Sequence, residues 1–260
     1  MAPSSPRTGS AYLDEALVAP YGPLAIAHRG GAMVPELRGA ENTVRAFRHA
    51  SDLGYHYLET DVHASRDGVL FAFHDAELAR VAGRPGRIRE MTAAELATVT
   101  AGGEPIPTMA ELLEEFPSRR FSIDIKALGA VEPLADLIAR TGSGDRVCVS
   151  SFDTARIRRF RQVTGGSVTT GAARGEIAAF LAFGRWARGH AGYSVLHLPD
   201  ALAHPVLVRR AHASGSHVHV WTIDEATRME QLIDIGIDGI VTDRTDVLKD
   251  VLSQRGLWRE

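Results

Sequence analysis

The stretch Y-L-E-T-D-V-H-A-S-R-D-G-V-L-F-A-F-H-D, residues 57–75, reads as two strands joined by a turn. Side chains alternate along a strand, so Tyr57, Glu59 and Asp61 share one face and Leu58, Thr60 and Val62 the other. Asp67-Gly68 is a hairpin signal, and the return strand at 69–73 is apolar and ends in His74-Asp75. Folding it back is expected to bring His74 beside Glu59. Single polar residues at strand ends often cap turns or face water. Two carboxylates on one strand face repel each other unless a cation or a proton lies between them.

Upstream, residues 24–27 form a short apolar run ending in His28-Arg29-Gly30-Gly31, where glycine lets the backbone turn and approach a ligand. Glu41-Asn42-Thr43 marks a helix start, and Val44, Phe47, Ala50 and Leu53 follow at helical spacing. Downstream, residues 76–107 are rich in Gly and Pro and read as an insertion over one end of the domain, with one short helix behind a Thr92/Glu95 capping box. A second capping box, Thr108/Glu111, restarts a strand–helix rhythm. Strands are expected at 121–125, 147–150, 167–170, 193–198, 217–222 and 240–242, with Asp153 and Asp224 opening helices. Without the return strand, eight strands remain that can run parallel. That alternation predicts a distorted α/β fold, a (β/α)8 TIM-type barrel with a hairpin after strand 2 and a small insertion. An open doubly wound sheet is the rival, but no phosphate-binding G-x-G-x-x-G is present. Residues 1–20 read as a loose N-terminal tail with one helical turn near 13–18, and 21–260 as the barrel domain.

The 260 residues are 45% hydrophobic, enough for one large core, and the formal net charge is -3 without a basic run, which argues against nucleic-acid binding. The single cysteine, Cys148, excludes an intrachain disulfide and reads as a small buried hydrophobe. No apolar leader or run of 18 apolar residues is seen, so a cytoplasmic protein without stable membrane insertion is expected, its oligomeric state open.

Barrel active sites lie at the C-terminal ends of the strands. Here those ends bring His28-Arg29, Glu59 and Asp61, Asp124 and Lys126, Ser150-Ser151, His197, Trp221-Thr222 and Asp243 into one charged, aromatic-lined cup, with His74 delivered by the hairpin. Glu59, Asp61 and Asp124 offer oxygen only, which suits Ca²⁺ or Mg²⁺ better than Zn²⁺. Arg29 and Lys126 suit a phosphate, and His28 and His74 suit acid–base work near neutral pH. Together they describe cleavage of a phosphoryl ester. Plainer roles compete. Lys126 can be a structural partner of Asp124, and Trp221 either core or a platform for a substrate's carbon face. Asp153, Asp224 and Asp243 read as helix caps. His63 reads as exposed, and His49, His56, His190, His204 and His212 as surface or loop residues. His217 and His219 point into the barrel on the alternation of their strand.

The chain resembles the glycerophosphodiester phosphodiesterase family. The matching pieces are H-R-G at 28–30, E-N-T at 41–43, E-T-D at 59–61, H-D at 74–75, I-P-T at 106–108, I-D-I-K at 123–126, S-F at 151–152, W-T at 221–222 and G-I-V-T-D at 239–243, in family order. The resemblance implies a phospholipase-C-like barrel with an insertion after H-D. It implies metal-dependent hydrolysis of small-molecule glycerophosphodiesters to glycerol 3-phosphate and an alcohol, in lipid and glycerol metabolism. It places one divalent cation, Ca²⁺ or Mg²⁺, on Glu59, Asp61 and Asp124, acid–base chemistry on His28 and His74, and substrate phosphate on Arg29 and Lys126, with Trp221 beside it. It also suggests attack by the glycerol 2-hydroxyl through a cyclic phosphate. Alternatives are a lyase-type phospholipase D that acts on lysolipids or sphingomyelin and stops at the cyclic phosphate, and a barrel that binds phosphorylated ligands without turnover. Two departures stand out. Asp124 stands where the family usually has Glu, one methylene longer. Glu77-Leu78-Ala79-Arg80 replaces a T-L-D-R run, with Ala79 in place of the acid.

Overall fold

A computed structural model describes residues 5–17, 21–184 and 192–259 of the chain. Its strands are β1 (Leu24–His28), β2 (Tyr57–Ala64), β3 (Leu70–Ala72), β4 (Thr100–Ala101), β5 (Glu104–Pro105), β6 (Arg120–Ile125), β7 (Val147–Ser150), β8 (Thr169–Thr170), β9 (Val195–Pro199), β10 (His217–Trp221) and β11 (Gly239–Thr242). Eight of them lie parallel in the order β8-β7-β6-β2-β1-β11-β10-β9. A parallel bridge from Gly171 to Val195, with Ala172 N donating to Val195 O at 2.9 Å, brings the two ends together. The expected (β/α)8 barrel is thus present and nearly closed.

Alternation along the strands sorts side chains into two cores. Outward residues such as Leu58, Val62, Phe121, Ile123, Val149, Leu196, Val218 and Ile240 pack under the surrounding helices. Helix Val131–Thr141 buries Val131, Leu134, Leu137 and Ile138, one stripe of a helical surface, and stops at Gly142 in a left-handed conformation (φ 63°) that disfavours a side chain. Inward residues Leu24, Ile26, Tyr57, Cys148 and Val195 form a separate cluster with Tyr12 and Leu13, and Val241 joins it from the level of the cavity above.

That second cluster corrects the expected loose tail. The described part of it, residues 5–17, closes the N-terminal mouth of the barrel. Tyr12 and Leu13 are fully buried, Tyr57 Oη donates to Tyr12 O at 2.9 Å, and Pro6 O lies 2.7 Å from His217 Nε2. Tyr12 and Leu13 find the barrel floor, a partner far away in sequence. Residues 18–20 of the expected tail, and His190, lie outside the described residues.

The hairpin also differs from expectation in register. β2 runs on to Ala64 and pairs antiparallel with β3 as Val62–Ala72, His63–Phe71 and Ala64–Leu70. Phe73 N donates to Asp61 O at 3.0 Å, so His74 arrives beside Asp61 rather than Glu59. His63, expected at the surface, is only 6% exposed, its Nε2 3.1 Å from His74 O. The insertion holds the Thr92/Glu95-capped helix and has a core of its own, in which Phe71, Phe73, Leu78, Ile88, Leu96 and Ile106 pack together. Among the described residues no helix is long and apolar enough to cross a membrane.

Candidate active site

A cavity of about 340 Å³ opens at the C-terminal end of the barrel. His28, Arg29, Glu59, Asp61, His74, Asp124, Lys126 and Trp221 all line it, as do Ser150, Ser151, His197 and Thr222, whereas Asp243, also expected in the cup, is not among its lining residues and reaches it through His28. The register does the gathering. His28 of β1 pairs with Glu59 of β2, and Asp61 of β2 with Asp124 of β6, so inward carboxylates meet rung by rung. Arg29 then leaves the barrel wall with φ 49°, an uncommon conformation for a residue with a side chain, and its N–H reaches Glu59 O at 3.0 Å. Gly30 follows where a Cβ would sit 2.7 Å from the backbone of Ala46, so only glycine fits.

Lys126 Nζ stands between two of the acids, 2.8 Å from Asp61 Oδ1 and 2.6 Å from Asp124 Oδ2. Arg29 Nε lies 3.2 Å from Asp61 Oδ2, and Asn42 Nδ2 donates to the same oxygen at 3.1 Å. Burial pushes the Asp61 carboxyl up, but Lys126 and Arg29 more than reverse it and leave it below its ordinary value. Glu59 and Asp124 are less well compensated. Burial, then the charge of Asp61, pushes Glu59 up to about 7 against the pull of His28 and Arg29. Burial likewise raises Asp124 to about 6 although Lys126 opposes it. Lys126 pairs with Asp124, as its plainer reading had it, and with Asp61 as well.

Asp124 Oδ1 is buried without a hydrogen-bond partner. Two raised carboxyls, an orphaned oxygen and an all-oxygen donor set fit a hard divalent cation. With Lys126 bridging, no three His, Cys, Asp or Glu side chains among the described residues converge closely enough to hold a metal as they stand.

Each histidine is held through Nδ1 by a carboxylate. His28 Nδ1 is 2.9 Å from Asp243 Oδ1, with Nε2 3.8 Å from Glu59 Oε2. Burial lowers His28, but Glu59 and Asp243 outweigh it and leave the imidazole above its ordinary value. His74 Nδ1 is 2.5 Å from Asp75 Oδ1. Here burial prevails over Asp61 and Asp75, and the imidazole lies below its ordinary value. Arg80 clamps the support in place. Its Nε donates to Asp75 Oδ2 at 2.6 Å, and its terminal nitrogens donate to Glu41 at 2.8 and 2.7 Å. Glu41 in turn accepts from Arg29 at 3.2 Å.

Asp243 therefore orients a histidine, where a helix cap was expected. Asp224 also fails to cap. It accepts from Thr242 Oγ1 at 3.0 Å and Asp243 N at 2.8 Å, which steadies the loop that carries Asp243. Asp153 caps as expected, accepting from Ala155 N at 2.7 Å. His217 and His219 do point into the barrel but lie below the cavity, fully buried. His212, expected at the surface, pairs with Asp238 at 2.8 Å. From sequence Asn42 reads as part of a helix start and of the E-N-T motif, with no role of its own. In the structure it takes φ 59° and holds Thr60 and Asp61 together, with Thr60 Oγ1 donating to its Oδ1 at 2.8 Å.

Comparison with known proteins identifies the family. The model of the glycerophosphoryl diester phosphodiesterase family matches residues 28–247. The chain is 38% identical to a Mycobacterium tuberculosis protein named probable glycerophosphodiester phosphodiesterase 2, over 91% of this chain and 93% of that one. It superposes on a solved Silicibacter pomeroyi protein with a TM-score of 0.83, at 23% identity over 96% of this chain and 100% of the other. An Oleispira antarctica phosphodiesterase, solved in complex with the product sn-glycerol-3-phosphate, superposes with a TM-score of 0.77 at 21% identity, covering 90% and 98% of the two chains. At these identities the solved structures speak for the fold.

Proposed function

The chain belongs to the glycerophosphoryl diester phosphodiesterase family and is a phosphoric diester hydrolase, and from that premise we propose that its cup performs metal-dependent hydrolysis of glycerophosphodiesters to glycerol 3-phosphate and an alcohol. The observation that carries the reading is the rung where Asp61, Asp124 and Lys126 meet between two histidines, each backed by its own carboxylate. Glu59, Asp61 and Asp124 would hold the cation, Ca²⁺ or Mg²⁺. Bound there, it supplies positive charge that stabilises the charge gathering around phosphorus.

Arg29 and Lys126 bind the phosphodiester's free oxygens and hold it against the two imidazoles. Because Asp243 and Asp75 engage the two Nδ1 atoms, Nε2 of each ring is the atom offered to substrate. One histidine takes the proton of the glycerol 2-hydroxyl as its oxygen bonds to phosphorus. The other gives a proton to the departing alkoxide as the P–O bond to the alcohol breaks. The roles then reverse: water gives a proton to one histidine as its oxygen bonds to phosphorus, the bond from phosphorus to the glycerol 2-oxygen breaks, and that oxygen takes a proton from the other histidine, leaving glycerol 3-phosphate. The attacking hydroxyl is tethered to its target, which favours this route over direct attack by water. The proposal places the enzyme in the cytoplasm, in keeping with its single, buried thiol.

The test is turnover of a glycerophosphodiester panel with and without EDTA, followed by phosphorus NMR. Glycerol 3-phosphate is expected as product, with activity abolished by chelation and restored by Ca²⁺ or Mg²⁺, and a substrate lacking the 2-hydroxyl is expected to bind uncleaved. Full activity in EDTA would remove the metal from the reading, and cleavage of the deoxy substrate at a comparable rate would make water the nucleophile.

A further inference from the structure

The cup has two unlike walls. Acids, bases and histidines crowd the side built by β1, β2 and β6. The side that follows β7 and β8 carries Phe152 and Arg174, which also line the cavity. The Phe152 ring lies 5.5 Å from that of Trp221. Arg174 opens the helix Arg174–Phe183, and its guanidinium carbon stands 4.5 Å over the Phe152 ring centroid. Its backbone N–H donates to Phe152 O at 3.3 Å, which fixes the two residues to each other.

Among the described residues no acid neutralises this guanidinium. Glu176, two residues on, is taken by Arg161, whose terminal nitrogens donate to it at 2.6 and 3.1 Å. Asp153, next to Phe152, accepts from Ala155 N and Arg156 N at the start of its helix. Arg174 forms no ion pair among the described residues. A guanidinium stacked on a ring keeps its edge free, and that edge matches a carboxylate or phosphate in two parallel hydrogen bonds.

We infer that Arg174 selects the alcohol half of the substrate, so that the cup favours glycerophosphodiesters whose alcohol carries a carboxylate or a second phosphate over those of choline or ethanolamine. The inference rests on the phosphodiesterase reading above. The glycerol half is uncharged in every such substrate, so a fixed cation discriminates only through the alcohol. The aromatic pair Phe152–Trp221 suggests the opposite preference, a box for a quaternary ammonium. Yet one face of Phe152 is already occupied by Arg174, and Lys126 Nζ stands 5.6 Å from the same centroid. A third cation would meet two like charges there, whereas an anion meets an oriented fork.

Glycerophosphoserine and glycerophosphoethanolamine differ by one carboxylate, so the ratio of their kcat/KM values isolates the effect. Arg174 is open to solvent, which screens the interaction, and a ratio of about fivefold in favour of serine is expected at low ionic strength, mostly in KM. Arg174→Gln should bring the ratio to about one and Arg174→Glu should invert it. A wild-type ratio of one or below, or a ratio that neither variant changes, overturns the inference and leaves the phosphodiesterase reading intact. If none of the diesters yields glycerol 3-phosphate, both fall.

Discussion

Tyr57 and Asp61 project from the same face of one strand, four residues apart, into opposite ends of the barrel interior. Around Tyr57 the neighbours are mostly apolar: Tyr12 stacks edge-on at 5.1 Å and Leu24 and Ile26 belong to the same floor cluster, with Arg120 over the ring at 5.5 Å. Around Asp61 they are ionic, with Lys126, Arg29, Asn42 and two further carboxylates. Burial of the floor removes apolar surface from water and stabilises the fold. Burial of the cup strips charges of their water, and Glu59 pushed up to about 7 is a sign that the compensation there is incomplete. Such strain is kept where chemistry needs it. The two ends should therefore respond oppositely to substitution: the cup loses activity and keeps its stability, and the floor does the reverse.

The strongest test of that contrast is in the cup. His28→Ala and His74→Ala are each expected to lower kcat by about 10²–10⁴-fold, the usual worth of acid–base catalysis, while the melting temperature stays close to wild type. Asp61→Asn should sharply weaken Ca²⁺ and Mg²⁺ binding in calorimetry without unfolding the protein, since it relieves repulsion on Glu59 and Asp124. Unchanged metal binding would show that Asp61 is not a ligand. On the floor, Tyr12→Ala should lower stability by about 3 kcal/mol in chemical denaturation, as loss of a large buried ring does. Its turnover per folded molecule, measured well below the melting transition, should match wild type. A floor variant that loses activity while folded would break the separation of the two ends.

A smaller effect is expected where the insertion touches the cup. Arg80 reaches no substrate but holds Asp75 and Glu41, and through Asp75 it holds His74. Arg80→Ala should lower kcat about tenfold by loosening His74, with KM and metal affinity little changed. Arg80→Lys keeps the charge but not the double clamp and should recover only part of the loss. A change confined to KM would instead place Arg80 in substrate binding.

The eight strands and the cup's titratable residues were legible because period-two alternation and short motifs are local signals. The hairpin register was not, because β2 continues through His63 and Ala64, whose exposure depends on what the insertion packs over them. The packing of the tail leaves no local signal, because Tyr12 and Leu13 have no partner nearby in sequence and meet the floor only once the barrel closes. Asp243 looked like a cap because Asp at a strand end before a helix usually is one. That it serves His28 depends on β11 lying next to β1, a neighbour relation set by closure of the sheet. Arg174 and Phe152 met only through the packing of two separate strand–helix loops.

Between the two ends lies His219, and the smallest expected effect tests whether the interior there is as dry as the floor. It is fully buried, neither ring nitrogen has a hydrogen-bond partner, and its ring packs edge-on against His197 at 5.1 Å. On the other side a Cβ at Gly239 would come within 2.6 Å of it, so the strand leaves room for the ring and nothing more. Burial, then the nearby His197 and His217, holds its imidazole well below the ordinary 6.5. The unfolded chain, free of that burial, takes up the proton near 6.5, so acid favours unfolding. Stability tied to neutral His219 is complete above about pH 6.5 and is lost progressively as the pH falls below it. His219→Leu removes the titration and the two unpartnered nitrogens, and its similar volume should keep the variant within about 1 kcal/mol of wild type at pH 8. From pH 6.5 to pH 5 the wild-type melting temperature should fall a few degrees more than that of the variant. Parallel melting curves across that range would mean that His219 is solvated or partnered in solution, and that the dry floor ends below it.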